Sequence, residues 1–431
     1  MRLDNQPAKA ENGAAWLRAG GSSKGANGGQ TSGEILMRQS QIACVRVFPL
    51  SIPLRHAFSH AAHSRVHADP IIVQIELGGG TMGYGETLPR PYVTRENAES
   101  VLTTIRGPLT AELLTFRPSS FAEALERIDA LPFLDDEGRL ICAARAGVEL
   151  ALLDVYSRFF DRDIAEVAGW LGLPGLGSPG SARRVRYSGV LSGDDIVRLR
   201  RSVRKMRLFG LRDFKLKVGY EDDVERVSAV ANSLRRALRN GATLRLDANG
   251  SWSIERAIEI CKALRSHPIA CIEQPLAPGC EEQLIRLKND TRSPIMHDES
   301  LVTQADAERL HRMGIADAFN IRLSKNGGFL PSLRLAHWAG RHGIRHQLGC
   351  MVGETSVLSA AGRKYLECVP GVWFAEGSYG RFLLRGDVVK KPIRFGFGGR
   401  FQTLSGPGWG VEVDPDLLRR YAAGAVAEIF L

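Results

Sequence analysis

Apolar positions recur with regular spacing from Gln41 onward, and the spacing changes once along the chain. Ile42–Val47 and Ile71–Leu77 alternate or run apolar with β-branched residues, which predicts strands. GGGTMGYGE at Gly78–Glu86 predicts a turn and a third strand. Arg95–Leu109, Ser120–Leu131 and Cys142–Phe159 carry apolar residues at helical spacing. Strands followed by a run of helices predict a small α+β domain.

From about Val185 short apolar strands alternate with helix-length segments. The strands are expected at Arg186–Val190, Asp213–Val218, Thr243–Asp247, Ala270–Glu273, Ile295–Asp298, Ala318–Ile321, Ile344–Gln347 and near Trp373–Glu376. Such alternation means parallel strands with right-handed crossovers. Eight units in about 200 residues fit a (β/α)8 barrel, a modified TIM barrel with a degenerate last unit. A doubly wound open sheet would need a GxGxxG turn after its first strand, and the chain has none there.

Residues 1–40 differ from the rest. The run GGSSKGANGGQTSGE lacks the apolar content to pack, which predicts a disordered tail over 1–40. It has no apolar core of a secretory signal, and Met37 is a candidate translation start.

Composition narrows the classes. Of 431 residues 44% are hydrophobic and 24% charged, the mix of a globular chain. No apolar run reaches about 18 residues, so no membrane-spanning helix is expected. The net charge of +10 is spread over helices such as Arg198–Arg207 and Arg235–Arg239. Without a nucleic-acid-binding motif this reads as solvated helix faces, with no nucleic-acid partner. Seven scattered cysteines with no CxxC pair predict free thiols and a cytoplasmic location.

Barrel chemistry sits at the C-terminal ends of strands. The second strand ends in Lys215 and Lys217, which alternation turns to one face. The third ends in Asp247 (LDANGSW), the fourth in Glu273 (IEQPL), the fifth in Asp298 (HDES) and the sixth near Lys325 (SKNGG). Three adjacent carboxylates repel one another unless a cation sits among them. An all-oxygen set favours Mg²⁺, with Mn²⁺ as a substitute. Strands two and six are four apart in a ring of eight, so Lys217 and Lys325 are expected on opposite faces of a substrate. A lysine pKa lowered by the cation and by Lys215 would suit a base.

KLK, LDANGSW, IEQPL, HDES and SKNGG, in that order and at barrel spacing, resemble the mandelate racemase/muconate lactonizing enzyme family of the enolase superfamily. The likeness covers about Gln41–Leu431. It implies a capping α+β domain over 41–165, the barrel over 185–385, and a segment over 386–431 packing on the cap. It implies Mg²⁺ on Asp247, Glu273 and Asp298, and lysines at 217 and 325 exchanging a proton α to the carboxylate of a small substrate. It also implies a homo-oligomer.

A lysine at strand six resembles the muconate lactonizing subgroup. His346 ends strand seven with no Asp placed to form a dyad. Phe374-Ala375-Glu376 lacks the Asp-x-Asp with which dipeptide epimerases hold an ammonium, and resembles the cycloisomerases. The leading expectation is a muconate-type cycloisomerase, with proton transfer by Lys217, electrostatic help from Lys325, and Lys215 orienting. Racemisation or epimerisation of N-acyl amino acids, an o-succinylbenzoate synthase-like dehydration, and a non-catalytic binding protein are the alternatives.

Asn249, Glu299 and Gln274 are expected to support the ligands, and Glu376 to face the substrate. Glu354 reads as structural and His297 as packing. His56, His60, His63 and His67 have the spacing of one helical face, but Pro53, Ser59, Ser64 and Pro70 around them predict a flexible loop. The resemblance makes that loop, about Phe58–His67, a lid over the site.

Overall fold

The computed structural model describes residues 32–60, 63–177, 185–424 and 426–431. In chain order it contains α1 (Ser32–Ser40), β1 (Ile42–Pro49), β2 (Ile52–His60), β3 (His63–Ala68), β4 (Ile71–Leu77), β5 (Met82–Thr87), α2 (Ala98–Thr104), α3 (Thr110–Leu113), α4 (Phe121–Asp129), α5 (Cys142–Phe159) and α6 (Glu166–Trp170). Then follow β6 (Gly189–Leu191), α7 (Ile196–Leu208), β7 (Asp213–Lys217), α8 (Asp223–Arg239), β8 (Thr243–Asp247), α9 (Ile254–Ala263), β9 (Ile272–Glu273), α10 (Leu284–Thr291), β10 (Ile295–His297), α11 (Gln304–Arg312), β11 (Ala318–Ile321), α12 (Phe329–Arg341), β12 (Arg345–Leu348), α13 (Ser356–Cys368), α14 (Gly380–Leu383), α15 (Pro415–Tyr421) and β13 (Ala427–Phe430).

The first domain is an antiparallel sheet in the order β13-β1-β4-β5, with α5 against it. α5 is apolar on nearly every side and buried from Cys142 to Ser157, as expected of a helix covered all round. Two glycines let it approach β5. A Cβ on Gly85 would stand 2.1 Å from the Gly147 carbonyl oxygen, and one on Gly83 would stand 2.3 Å from the Val155 nitrogen. The polar residues of α5 tie the domains together. Glu149 accepts from the backbone N–H groups of Phe329 (2.7 Å) and Leu330 (2.8 Å), capping α12 of the barrel. Asp154 accepts from Tyr84 and Trp409, one in β5 and one in the carboxy-terminal segment. That segment returns to the first domain, where β13 pairs antiparallel with β1.

The barrel holds seven parallel strands in the order β12-β11-β10-β9-β8-β7-β6. Ala375 closes the ring through single parallel bridges to Tyr187 on one side and Leu348 on the other. The eighth strand expected near Trp373–Glu376 is therefore one bridged residue wide.

Other expectations shift. The sequence predicts a disordered tail to residue 40, but Ser32–Ser40 is helical, with Glu34 in its first turn and Arg38 in its last, and the Ser40 carbonyl accepts from the Tyr156 hydroxyl at 3.1 Å. The rest of that tail lies outside the described residues. The helix expected over Arg95–Leu109 passes into a π turn at Ile105–Leu109, where Pro108 has no N–H to give the α ladder. The histidine loop is instead the hairpin β2–β3, with His60 opposite His63. Ile52, Leu54 and Ala68 supply its buried positions, which gives these strands an inner face. His56 and His67 are exposed. All seven cysteines are free thiols.

Candidate active site

Period two along β7 sends Phe214 and Leu216 outward and Lys215 and Lys217 inward. Lys215 Nζ lies 3.0 Å from Asp247 Oδ2, 3.2 Å from Glu273 Oε1 and 2.9 Å from Glu376 Oε1. Lys217 Nζ donates to Asp247 Oδ2 and to Asn249 Oδ1, each at 2.6 Å. Asn249 is held in the left-handed region (φ 45°) and passes its amide N–H to Glu299 at 3.0 Å. Gln274, also left-handed (φ 38°), accepts from the backbone N–H of Asp298 (3.0 Å) and Ser300, fixing the turn that carries Asp298. These sequence-predicted residues form one cluster at the barrel mouth.

Lys325 is placed differently from the expectation. It is fully buried and donates to the Asp298 carbonyl (2.7 Å), Asp298 Oδ1 (2.9 Å) and the Asn320 carbonyl (2.8 Å). Its three protons are all used, so it stands behind Asp298 while Lys217 lines the cavity. Glu376 also differs. It lines the cavity, but its Oε1 is shared by Lys215 and the fully buried Arg245. It is a counter-charge more than a free substrate-facing acid. His297 turns away from the mouth and meets the Ile315 carbonyl, as the alternation requires. His346 is buried, and its ring nitrogens have no hydrogen-bond partner. Glu354 accepts from the Ser359 hydroxyl at 2.8 Å, a structural contact.

The sequence reading overlooked Arg245, Asn320, Arg322 and Gln347, although Asn320 and Gln347 are the last polar residues of the strands expected at Ala318–Ile321 and Ile344–Gln347. Alternation would have found Arg245, two residues before Asp247. Arg322 pairs with Asp298, while Asn320 (2.8 Å) and Gln347 (3.3 Å) donate to the two oxygens of Glu273.

Lys215, expected to lower the pKa of a neighbouring lysine, is itself raised well above the ordinary lysine value. Burial pulls it down, but Asp247, Glu273 and Glu376 outweigh burial and hold the ammonium protonated. Burial lowers Lys325 against the opposing pull of Asp298. Glu273 is pushed up to about 7 by burial and by the Asp247 charge. Asp247 lies well below the usual carboxylate range because its two lysines overcome its burial.

Among the described residues no three His, Cys, Asp or Glu side chains already surround one point. Each carboxylate turns an oxygen to a lysine or arginine instead. The donor set still suits a hard cation. Asp247, Glu273 and Asp298 are fully buried at the ends of consecutive strands. The buried acceptors Glu299 Oε2, Asn320 Oδ1 and Gln347 Oε1 have no donor. Such a surplus of oxygen fits Mg²⁺ or Mn²⁺.

The comparisons agree with this geometry. Residues 198–417 match "Enolase C-terminal domain-like", and 42–169 match "Mandelate racemase / muconate lactonizing enzyme, N-terminal domain". The chain belongs to the mandelate racemase/muconate lactonizing enzyme family of the enolase superfamily. It is 29% identical over 325 residues to an N-succinyl-L-Arg/Lys racemase of Bacillus cereus, covering 75% of this chain and 83% of that one. It is 26% identical over 365 residues to muconate cycloisomerase 1 of Pseudomonas putida, covering 84% and 92%. The crystal structure of the Bacillus cereus racemase superposes with a TM-score of 0.77 at 25% identity, over 90% of this chain and all of that one. Racemases, dipeptide epimerases and cycloisomerases are all among the relatives, so membership makes this an enolase-superfamily enzyme without choosing between them. No helix among the described residues is long and apolar enough to cross a membrane.

Proposed function

We propose that the protein isomerises a small carboxylic acid by moving the proton α to its carboxylate, with Lys217 as the group that takes the proton. The observation that carries this is the position of Lys217 Nζ, on the cavity wall and held between Asp247 and Asn249. A base must reach the proton it removes, and Lys217 meets that condition where Lys325 does not. Asp247, Glu273 and Asp298 are the residues that would hold Mg²⁺, whose positive charge, when bound, offsets charge developing on the carboxylate. Lys215 stays protonated and holds Asp247, Glu273 and Glu376 in place. Lys325 and Arg322 fix Asp298 and add positive charge behind it.

One base on the cavity suits a cycloisomerase, in which a single α-proton is moved as a lactone ring opens or closes. Glu376, committed to Lys215 and Arg245, is not free to hold a substrate ammonium, which supports an acid without one. Racemisation of an N-acyl amino acid is the second reading. It is favoured by the origin of Lys217 and Lys325 on strands four apart in the ring.

Proton NMR in D₂O with MgCl₂ tests both readings on muconolactone, cis,cis-muconate and N-succinyl amino acids. Interconversion of lactone and muconate establishes the cycloisomerase. Exchange of the α-proton with inversion of an N-succinyl amino acid establishes the racemase. Wild-type α-exchange that survives unchanged in Lys217→Met refutes the assignment to Lys217.

A further inference from the structure

The cavity that holds Lys217 does not end at the charged cluster. Its volume is about 540 Å³. Muconate's ten heavy atoms fill about 300 Å³ even at the roughly 30 Å³ each that a liquid water occupies. The surplus is walled by apolar side chains from four separate segments: Val190 of β6, Met206 and Phe209 at the end of α7, Tyr379 and Phe382 at α14, and Phe395 beyond it. Four of these are rings in mutual contact. Phe382 and Phe395 are 5.4 Å apart, Phe209 lies 6.4 Å from Phe382 and 6.2 Å from Phe395, and Tyr379 is 5.9 Å from Phe395. The Tyr379 hydroxyl is already spent on the Ser188 carbonyl at 2.7 Å, so its ring alone is left for contact. Phe382 remains 47% exposed although it packs against two other rings, Phe209 and Phe395.

We infer that this aromatic chamber receives an aryl or long alkyl group of the substrate, whose carboxylate lies at the Lys217 end of the same cavity. The inference rests on the proposed α-proton chemistry and gives it a larger, more apolar substrate than muconate. The substrate class is then a carboxylic acid with a bulky apolar substituent, held at its far end mainly by apolar contact, with Lys205 beside Met206 on the same wall. A small dicarboxylate leaves the four rings uncovered.

The test is calorimetric titration of the full-length protein, in MgCl₂, with sodium butyrate and with sodium 4-phenylbutyrate, two carboxylates that differ only in the phenyl group. Phenylbutyrate is expected to bind about 30-fold more tightly, the range that apolar groups command in a fitted pocket. Phe382→Ala should reduce the ratio of the two affinities toward one, and Phe382→Leu should restore part of it. Phe382 is itself substantially exposed, so neither replacement empties a buried site. Equal binding of the two carboxylates, or a ratio unmoved by Phe382→Ala, overturns the chamber. The α-exchange experiment is read in parallel. Tight phenylbutyrate binding with no α-exchange on any acid leaves the chamber standing and removes the reaction. Exchange of muconolactone with equal binding of the two carboxylates does the reverse.

Discussion

Lys217 Nζ donates at 2.6 Å both to Asp247, a proposed cation ligand, and to Asn249, which in turn reaches Glu299. The base and the cation site are thereby linked through one carboxylate, so that a change at either is felt at the other. Lys325 relates to Asp298 in the same way on the other side, but from behind it.

This asymmetry separates the two lysines. Lys217→Met should lower turnover about 10³-fold and abolish α-deuterium exchange. Lys325→Met should lower turnover yet retain measurable exchange, because the base remains. NMR exchange rates in D₂O check this. Equal and complete loss in both variants would point to two bases instead.

Cation binding should stabilise the fold by mass action. At 100 times its dissociation constant Mg²⁺ adds about 2.7 kcal/mol, and Glu273→Gln or Asp298→Asn should remove most of that gain. Thermal unfolding with and without MgCl₂ measures it. A midpoint indifferent to Mg²⁺ in the wild type would count against these three carboxylates as ligands.

Glu376 neutralises Arg245, which is fully buried, stacked over Phe374 at 4.4 Å and otherwise bonded to the Ser188 hydroxyl. Glu376→Gln strands that guanidinium and should cost about 3 kcal/mol. Urea unfolding would show it. A loss below about 1 kcal/mol would mean that Glu273 suffices as the counter-charge of Arg245.

Glu86 carries a pH dependence. It is fully buried and accepts from Thr355 N (2.7 Å), Thr355 Oγ1 (2.7 Å) and Leu358 N (2.8 Å), joining β5 to the start of α13. Burial pushes its carboxyl up to about 8. The folded chain keeps this proton after the unfolded chain has lost it, so stability falls as pH rises from about 4.5 to about 8. The slope reaches at most about 1.4 kcal/mol per pH unit for one proton. Glu86→Gln should remove that slope, so the difference between wild type and variant should narrow toward low pH. Denaturant unfolding at pH 5.5, 6.5 and 7.5 would reveal it. A gap that is constant with pH would rule out Glu86 as the titrating group.

Most of the barrel and its mouth were legible in the sequence. Period-two alternation in short apolar strands with helix-length separations determines parallel strand order, and the residue ending each strand determines what reaches the mouth. That logic located Lys215, Lys217, Asp247, Glu273 and Asp298, because each follows from its own strand alone. What lies beyond one strand's reach was decided by the tertiary structure. Lys325 follows its strand in a turn, where alternation no longer dictates direction, and three acceptors draw it behind Asp298. The role of Glu376 depends on Arg245, 131 residues away. The histidine segment belongs to a hairpin whose base is buried at Ile52, Leu54 and Ala68. The aromatic chamber gathers rings from α7, α14 and the chain beyond, and no local spacing encodes that meeting. Local periodicity specifies which way a side chain leaves its own element, whereas its partners are set by packing between elements far apart in the chain.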